Sequence, residues 1–325
     1  MSDNQQPTHW QPTASFDNIK LRARMLQSIR AFFDQRNVLE VETPVLSSAA
    51  ITDPQLESFS TRFQQSEYYL HTSPEFYMKR LLAAGSGDIY QLARVFRDDE
   101  SGRFHNPEFT LLEWYRLDYD HHQLMGEIEH LIKLLMQTDK LPVQRLSYQK
   151  AFINQLEIDP LDITVQELKR CAEANNIEIP QGMSVDDKDM WLDWFMVAKV
   201  APGFDKEGFT FLYDYPASQA ALARLDKNDQ RVANRFELFY GELELGNGFY
   251  ELTDMEEQKR RFESENRIRQ QRGQKQMPLD LKLLDALNSG LPECSGVAIG
   301  VDRLLMLVAN ANQINQVISF GKELT

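Results

Sequence analysis

Two segments of the chain place an arginine where it could bind phosphate. One is 96–100 (FRDDE), which contains Arg97, and the other is 294–304, a run of small residues that leads into Arg303. Arginine is a planar, permanently charged donor that suits phosphate oxygens, and small residues let a nucleotide lie against the backbone. Taken alone, the second segment is more typical of a buried strand followed by a helix. Together the two segments favour the use of ATP to activate a carboxylate.

A second feature is an acidic hairpin predicted between residues 235 and 252. Apolar residues flank Tyr240-Gly241, which is typical of two strands joined by a turn that contains glycine. A turn centred there would place Glu237 directly opposite Glu244, with Cβ atoms roughly 5 Å apart. Opposed carboxylates repel unless a cation lies between them, and Mg²⁺ binds one or two carboxylates together with phosphate oxygens. The pair predicts a Mg²⁺ site beside a triphosphate, and the alternative is a solvated hairpin in an acidic chain.

These segments, in this order, resemble the motifs of class II aminoacyl-tRNA synthetases, and specifically the catalytic domain of lysyl-tRNA synthetases. The matching segments are 36–46, 95–97, 105–115, 244–252 and 296–304. The resemblance runs from about Phe16 to the end of the chain. It implies an α+β fold with a class II synthetase-like antiparallel sheet flanked by helices.

Hydrophobic periodicity places these motifs on secondary structure. It predicts helices over 20–36, 74–84 and 121–137, and strands over 89–96, 109–117 and 209–213. The predicted strands 89–96 and 109–117, which carry the second family motif, bracket a loop at 97–107. Arg97 therefore stands at the entrance of this loop. A mainly helical insertion is predicted over about 147–201. It includes a capping box that begins at Thr164.

The resemblance covers less than a complete lysyl-tRNA synthetase. Such an enzyme carries an anticodon-binding β-barrel domain before the first motif, and residues 1–15 are too few to form one. These residues are polar and predict a flexible N-terminal arm before a catalytic domain over 16–325. The 35 basic and 49 acidic residues give a net charge of −14. This charge opposes nonspecific attraction to a polyphosphate, so no tRNA partner is expected.

A catalytic domain of this length without an anticodon-binding domain resembles the bacterial ligases that attach (R)-β-lysine to a lysine of translation elongation factor P. The resemblance implies this amino acid and this protein acceptor, whereas the residues themselves imply only ATP, a divalent metal and a cationic substrate. One alternative is a stand-alone lysyl-adenylate-forming ligase or lysyl-tRNA synthetase paralogue with another acceptor. Another is a catalytically inactive regulatory module, but the retention of both arginines and both hairpin glutamates argues against it.

For the nucleotide, the resemblance implies that Arg97 grips the α-phosphate and the substrate carboxylate, and that Arg303 holds the γ-phosphate. Lysyl-tRNA synthetases usually show Arg-Asn-Glu where this chain has Arg97-Asp98-Asp99. By register Asp99 takes the place of the glutamate on the adenine side, although Glu100 is an alternative. The remaining residues implied to contact ATP are His105, Asn106, Phe109 (stacked on adenine), Glu244, Leu245 and Gly300.

For the amino acid, the resemblance implies that Glu251 receives the side-chain ammonium, with Tyr115 and Asn247 as its neighbours. Ser73, Pro74 and Glu75 match the loop that holds the other amino group. Two carboxylate–ammonium contacts would select a diamino acid over leucine or methionine, because each contributes roughly 1.5–3 kcal/mol.

Ala298 bears on which diamino acid is used. Lysyl-tRNA synthetases have glycine at this position, and the methyl group of alanine is expected to crowd the α-carbon of the substrate. Overpacking by one methyl costs roughly 1–3 kcal/mol, which would disfavour α-lysine relative to β-lysine. The alternative is that alanine and glycine exchange harmlessly in a strand.

The remaining composition agrees with a soluble, cytoplasmic enzyme without a membrane partner. Cys171 and Cys294 offer no disulfide framework, and the chain has neither an apolar signal segment nor a long transmembrane run. The resemblance also places residues 40–46 of the first motif at a twofold interface, which implies a homodimer.

Overall fold

The computed structural model describes residues 10–181, 183–184 and 186–325. In chain order its strands are β1 (Leu39–Glu40), β2 (Leu46–Ser47), β3 (Ser60–Phe63), β4 (Ser66–Leu70), β5 (Ile89–Phe96), β6 (Glu108–Leu117), β7 (Val143–Ser147), β8 (Phe209–Pro216), β9 (Val232–Tyr240), β10 (Leu243–Tyr250) and β11 (Cys294–Gly300). Eight strands form one sheet in the order β1-β5-β6-β11-β10-β9-β8-β7. The other three form a small sheet in the order β2-β4-β3.

The large sheet is mixed, which corrects the prediction of an antiparallel sheet at its two edges. The six central strands, from β5 to β8, pair antiparallel, whereas β1 runs parallel to β5 and β7 runs parallel to β8. Parallel neighbours require a crossover connection, and the chain supplies a long one in both cases. The α+β class is confirmed.

The helices are α1 (Phe16–Asp34), α2 (Glu75–Ala83), α3 (His121–Met136), α4 (Tyr148–Leu156), α5 (Val165–Ala174), α6 (Lys188–Phe195), α7 (Met255–Gln271), α8 (Leu281–Gly290) and α9 (Val301–Val308). The predicted helices correspond to α1, α2 and α3. Helix α1 begins four residues earlier than predicted because the Ser15 hydroxyl accepts from the Asn18 N–H and caps it. None of the helices in the described part of the chain is long and apolar enough to cross a lipid bilayer.

Side-chain alternation divides the central strands between a core and a cleft. On β6, Leu112 and Trp114 point into a core that also contains residues of α1, α3 and α9. On β11, Val297 and Ile299 join the same core. Because successive strand residues face opposite sides, the residues between them face the other side of the sheet. Glu113 and Ala298 therefore lie on that second face, directly opposite each other.

The crossover between β7 and β8 forms a largely helical unit with its own core. It contains α4, α5, α6, a π-helical turn at Met196–Val200 and a short 3₁₀ turn at Ala201–Gly203. Its buried side chains, including Trp191 and Phe195, pack against Leu212 and Tyr215 of β8. The capping box at Thr164 and Glu167 is observed at the start of α5.

The first described residues pack against the end of the chain. Thr13 donates from its N–H to the Ser319 carbonyl oxygen (2.9 Å), and Ala14 is buried. The prediction of a flexible arm therefore does not hold for Thr13–Ser15. Residues 1–9 of the predicted arm lie outside the described residues.

Candidate active site

One cleft gathers most of the residues that the sequence singles out. Its floor is the second face of β6, β10 and β11, and its walls come from the loop at residues 51–56, from the start of α2 and from the loop between β5 and β6. The predicted site residues that line it are Ser73, Glu75, Arg97, His105, Asn106, Phe109, Glu244, Leu245, Asn247, Ala298, Gly300 and Arg303. Four separate stretches of the chain thus converge on one space.

Three arginines give the cleft a cationic end. Arg97 stands at the end of β5 with its guanidinium carbon 5.1 Å from the centre of the Phe109 ring. Arg303 lies in the first turn of α9 and donates to the carbonyl oxygens of Glu244 (2.8 Å) and Phe104 (3.2 Å). Arg235, on β9, also lines the cleft. Guanidinium groups on different elements can bind several phosphate oxygens at once.

The loop after Arg97 resolves which carboxylate faces the cleft. Glu100 lines it and accepts a hydrogen bond from Arg97 Nη1 at 2.9 Å. Asp98 and Asp99 are exposed and lie outside the residues that line the cleft. Glu100, the alternative to Asp99, is therefore the carboxylate of this loop that faces the cleft, and Asp99 points away from it. The chain bends directly after β5, so strand spacing no longer predicts which side chain points inward.

The cationic end of the cleft also contains apolar and hydrogen-bonding groups. Phe109 and Leu245 are buried apolar residues in the wall of the cleft. His105 is half-buried, and both burial and the nearby Arg303 charge lower the pKa of its imidazole, so the ring is favoured in its neutral form. Asn106 is engaged by the protein itself, because its amide donates to the Glu108 carbonyl oxygen at 2.7 Å.

The hairpin register differs from the prediction. The turn lies at Gly241-Glu242, and a bulge follows Glu244, so Glu237 is opposite Asn247 while Glu244 is opposite Phe239. Glycine suits this turn because its φ is +52°. The two carboxylates therefore share one sheet face on a diagonal, where neighbours are roughly 7–8 Å apart, and they do not face each other directly.

Even so, the two carboxylates are compatible with a divalent cation. Enclosure by the protein and the charge of Glu237 raise the pKa of Glu244, although the side chain stays in contact with solvent. Glu237 is paired with Arg235 at 2.6 Å. Among the described residues no group of three or more His, Cys, Asp or Glu side chains is arranged to hold a metal. A cation here would need phosphate oxygens to complete its coordination, as Mg²⁺ commonly does.

At the other end of the cleft lies a buried carboxyl group that the sequence analysis missed. Glu113, on β6, accepts from the Ser73 hydroxyl (2.6 Å) and from the Tyr115 hydroxyl (2.9 Å). Burial and the charge of Glu75 raise the pKa of Glu113 to about 8. A sequence signal was present, because Glu113 stands two residues before Tyr115 in a strand, and residues two apart share a face.

Glu251 is fully buried behind this end of the cleft, and a lysine of the chain contacts it. Lys79 Nζ lies 2.7 Å from Glu251 Oε2 and 2.6 Å from Glu75 Oε1. Burial raises the pKa of Glu251 to about 7, against the opposing effect of Lys79. The sequence analysis missed Lys79 too, although it lies four residues after Glu75 on a predicted helix, where i and i+4 side chains meet.

The other predicted residues of this end are Ser73, Pro74, Tyr115 and Asn247. Pro74 is buried and precedes α2 as its N-cap residue, and Tyr115 is buried under the cleft floor. The Ser73 hydroxyl accepts from the Glu75 N–H at 3.0 Å, so it satisfies a free donor at the helix start. Asn247 accepts from Arg235 Nε at 3.2 Å.

Gly296 lets Tyr115 and Glu251 pack directly against β11. A Cβ atom there would lie 2.3 Å from the Tyr115 ring and 2.6 Å from Glu251 Oε1, far closer than atoms can approach. These two side chains can therefore occupy their positions only because residue 296 has no side chain. Ala298, two residues on and on the same face, places its methyl group in the cleft.

The cleft thus joins a cationic end, suited to a triphosphate, to an end where carboxyl groups are buried, suited to ammonium groups. Residues 8–324 match the model of the family described as tRNA synthetases class II (D, K and N). The chain is 49% identical over 320 residues to the elongation factor P--(R)-beta-lysine ligase of Salmonella arizonae and 50% identical to that of Salmonella typhi. Each alignment covers 96% of this chain and 97% of the relative. This chain therefore belongs to the class II tRNA synthetase family.

Proposed function

We propose that this protein uses ATP to activate (R)-β-lysine as an aminoacyl-adenylate and transfers it to a lysine side chain of translation elongation factor P. The observation that carries the proposal is a cleft with arginines at one end and buried carboxyl groups at the other, in a chain about half identical to ligases of that name over nearly its whole length. Membership of the synthetase family supports the use of ATP.

The reaction has two steps. First, a carboxylate oxygen of the amino acid attacks the α-phosphorus of ATP, a P–O bond forms, and the bond to pyrophosphate breaks. Arg97 and Arg303 stabilise the charge that develops on the phosphate oxygens. Second, the neutral amine of the acceptor lysine attacks the carbonyl carbon of the adenylate. An amide forms, AMP leaves with the bonding electrons, and the amine loses a proton.

The amino-acid end supports a substrate with two ammonium groups. Glu75 lines the cleft, and Glu113 and Glu251 lie buried beneath it. A bound ammonium favours the ionised form of each carboxyl and offsets the cost of its burial. The Ala298 methyl in the cleft supports the β-isomer over α-lysine, since it occupies space beside the reacting end.

Mg²⁺ fits the nucleotide end, where Glu244 and Glu237 would hold it together with phosphate oxygens. When bound it would neutralise part of the triphosphate charge. We expect Glu244→Gln to raise the Mg²⁺ concentration needed for half-maximal adenylate formation, while Glu242→Gln, on the exposed turn, leaves it unchanged. Full adenylate formation by Glu244→Gln at limiting Mg²⁺ would contradict the assignment.

The proposed partners are elongation factor P and a second copy of this chain, with no role for tRNA. An acidic chain with a net charge of −14 favours a protein acceptor over a polyphosphate one. The exposed apolar side chains of the first motif support the homodimer.

Mass spectrometry of elongation factor P tests the function directly. The protein is incubated with ATP, Mg²⁺, elongation factor P and one lysine isomer at a time, and the expected product carries one added β-lysyl group. Arg97→Met should abolish the addition, whereas Arg94→Met, a neighbouring arginine on β5 outside the cleft, should not.

Exchange of pyrophosphate into ATP separates the alternatives. Lysine-dependent exchange without modification of elongation factor P would indicate an adenylate-forming ligase with another acceptor. Absence of exchange with every diamino acid would indicate a binding module, and the proposed function would then be wrong.

A further inference from the structure

A lysine of the chain lies buried behind the amino-acid end of the cleft. Lys79, on α2, is 1% exposed, and its ammonium contacts Glu75 Oε1 at 2.6 Å and Glu251 Oε2 at 2.7 Å. These are the two carboxylates to which the proposed function assigns the amino groups of the substrate. Lys79 does not line the cleft itself.

The contacts leave part of each carboxylate available. Lys79 takes one oxygen of Glu75 and one oxygen of Glu251, and a carboxylate can accept through both oxygens. Within the part of the chain that the structure describes, Oε1 of Glu251 has no hydrogen-bond partner. This buried oxygen packs against Gly296 of β11. An ammonium that reached it would find an acceptor whose carboxylate is already held in place.

The charges of the pocket can be counted. Glu75, Glu113 and Glu251 carry three negative charges when all are ionised, and Lys79 carries one positive charge, so the fully ionised pocket has a net charge of −2. Without a substrate, Glu113 and Glu251 hold protons near neutral pH, because their pKa values are raised to about 8 and about 7. Burial alone would lower the pKa of Lys79, but the charges of Glu251 and Glu75 raise it above its ordinary value, so the amine stays protonated. A buried excess of charge is costly, and an amino acid with two ammonium groups removes it.

We propose that Lys79 is a positioning residue that fixes Glu75 and Glu251 by one oxygen each and sets the pocket's charge to the −2 that a diamino acid neutralises. The inference rests on the proposed function, because it takes the diamino acid as the substrate. It adds that selection depends on a resident cation as well as on the carboxylates. Without that cation, the pKa values of Glu113 and Glu251 would rise further, so more protons would have to leave before the substrate could bind.

The groups that face Lys79 determine how such a change would show itself. The charged and titratable side chains around it, from α2, β6, β11 and the segments beside them, are Glu75, Glu113, Glu251, Tyr115, Arg224 and Cys294. Arg224 is the other cation of this set, and it is engaged by Glu293 at 2.6 Å. Removal of Lys79 therefore leaves the three carboxyl groups without a cation of their own.

Two variants separate charge from packing. Lys79→Met keeps the length of the side chain and removes the charge. Lys79→Gln also removes the charge but keeps hydrogen-bond donors, and it serves as the second variant if Met disturbs the fold. Pyrophosphate exchange should show a KM for β-lysine raised at least tenfold at pH 7 in both, with the KM for ATP changed less than twofold. Lys133→Met is the matched control, because Lys133 forms the same i,i+4 pair with Glu129 on α3, far from the cleft.

A pH profile tests the protonation that the proposal requires. Loss of a cation raises the pKa of neighbouring carboxyl groups. The KM for β-lysine should therefore reach its constant, high-pH value only at a pH about one unit or more higher in both variants than in the wild-type protein. An unchanged KM for β-lysine, an equal rise in the KM for ATP, or a profile that does not move would each overturn the role of Lys79. Absence of exchange in the wild-type protein would instead overturn the proposed function.

Discussion

At the amino-acid end of the cleft, single side-chain atoms limit the available space. At Gly296 a Cβ would collide with Tyr115 and Glu251, and two residues further on the methyl group of Ala298 lies in the cleft. Both lie on one face of β11, against β6 and β10. Because backbone positions in a central strand are fixed by hydrogen bonds on both sides, a methyl there cannot be accommodated by moving the strand. We therefore expect selectivity at this end to depend on the presence or absence of one carbon atom.

We expect Ala298→Gly to shift the isomer preference toward α-lysine. The added space lies beside the reacting end of the substrate, while the carboxylates and arginines are unchanged. Relief of a cost of about 1–3 kcal/mol should improve kcat/KM for α-lysine by roughly one to two orders of magnitude, with a smaller change for β-lysine. Adenylate formation measured with both isomers checks this. Ala233→Gly, a buried strand alanine on β9, is the control, and an unchanged isomer ratio in Ala298→Gly would place selectivity elsewhere.

Glu113 predicts a dependence of stability on pH. Its pKa is raised to about 8 in the folded protein, mainly by burial, from an ordinary value of 4.5. Between these values the folded state holds a proton that the unfolded state releases, so the free energy of unfolding falls as pH rises from about 4.5 to 8. Glu113→Gln cannot ionise and should lose less stability over this range.

Thermal unfolding of the substrate-free protein at pH 5 and pH 8.5 measures the effect. The Tm of Glu113→Gln minus that of the wild type should be more positive at pH 8.5 than at pH 5. Adenylate formation by Glu113→Gln should be severely reduced. Glu207→Gln, at an exposed position, should show the same Tm difference at both pH values. A Glu113→Gln difference that does not vary with pH would contradict the raised pKa.

At the scale of elements, α7 holds the loop that walls the cleft. Arg269 is fully buried and donates to the carbonyl oxygens of Asp53 (3.0 Å) and Leu56 (3.2 Å), both of which line the cleft. It also binds both carboxylate oxygens of Glu57 at 2.8 Å. The Glu57 carbonyl oxygen in turn accepts from the Asp98 N–H, next to Arg97. One side chain of α7 is thus connected to the loop that begins at Arg97.

Arg269→Met should loosen this wall without touching the substrate. Three backbone carbonyl groups, those of Asp53, Leu56 and Lys275, would lose a charged donor, at a cost of about 1–3 kcal/mol, while the half-exposed Glu57 regains water. KM should rise for both ATP and the amino acid, since the loop borders both ends. Steady-state kinetics and thermal unfolding check this against Arg267→Met, an exposed neighbour on α7. Wild-type kinetics in Arg269→Met would show that the loop is held by other contacts.

At the scale of the whole molecule, the first motif presents apolar surface to solvent. Leu39 is 56% exposed, Leu46 is 44% exposed and Val45 is 37% exposed, within one stretch that also contains the exposed Pro44. The two-residue strand β1 forms an edge of the large sheet. Clustered apolar residues beside a sheet edge are typical of an interface between subunits.

We expect the protein to sediment as a dimer at micromolar concentration, with a double substitution of Leu39→Asp and Leu46→Asp shifting it toward monomer. A twofold interface contains each substituted residue twice, so each introduced charge would be buried twice and the loss of affinity is doubled. Val197→Asp, at an exposed apolar position in the helical unit between β7 and β8, is the control. A wild-type protein that sediments only as monomer would contradict the homodimer.

The sequence by itself determined the class of the fold and the chemistry at the nucleotide end. Hydrophobic periodicity predicted α1, α2, α3, β5 and β6 with small errors at their ends, because amphipathic patterns are local and were uninterrupted there. Arg97, Phe109 and Arg303 converge on the cleft as the motifs implied. Each of these residues lies at or next to the end of a strand or helix, so its position in the chain fixes the direction of its side chain.

Only the tertiary structure decided the strand pairing and the side-chain contacts at places where the chain bends or where distant elements meet. The turn at Gly241-Glu242 pairs Glu244 with Phe239 in place of Glu237, and the bulge after Glu244 then pairs Glu237 with Asn247. The bend after Arg97 turns Glu100 toward the cleft in place of Asp99. The contact of Lys79 with Glu251 joins residues far apart in the chain, which no local pattern encodes. A bulge costs little energy and leaves little trace in composition, whereas a buried ion pair depends on the packing of α2 against the sheet.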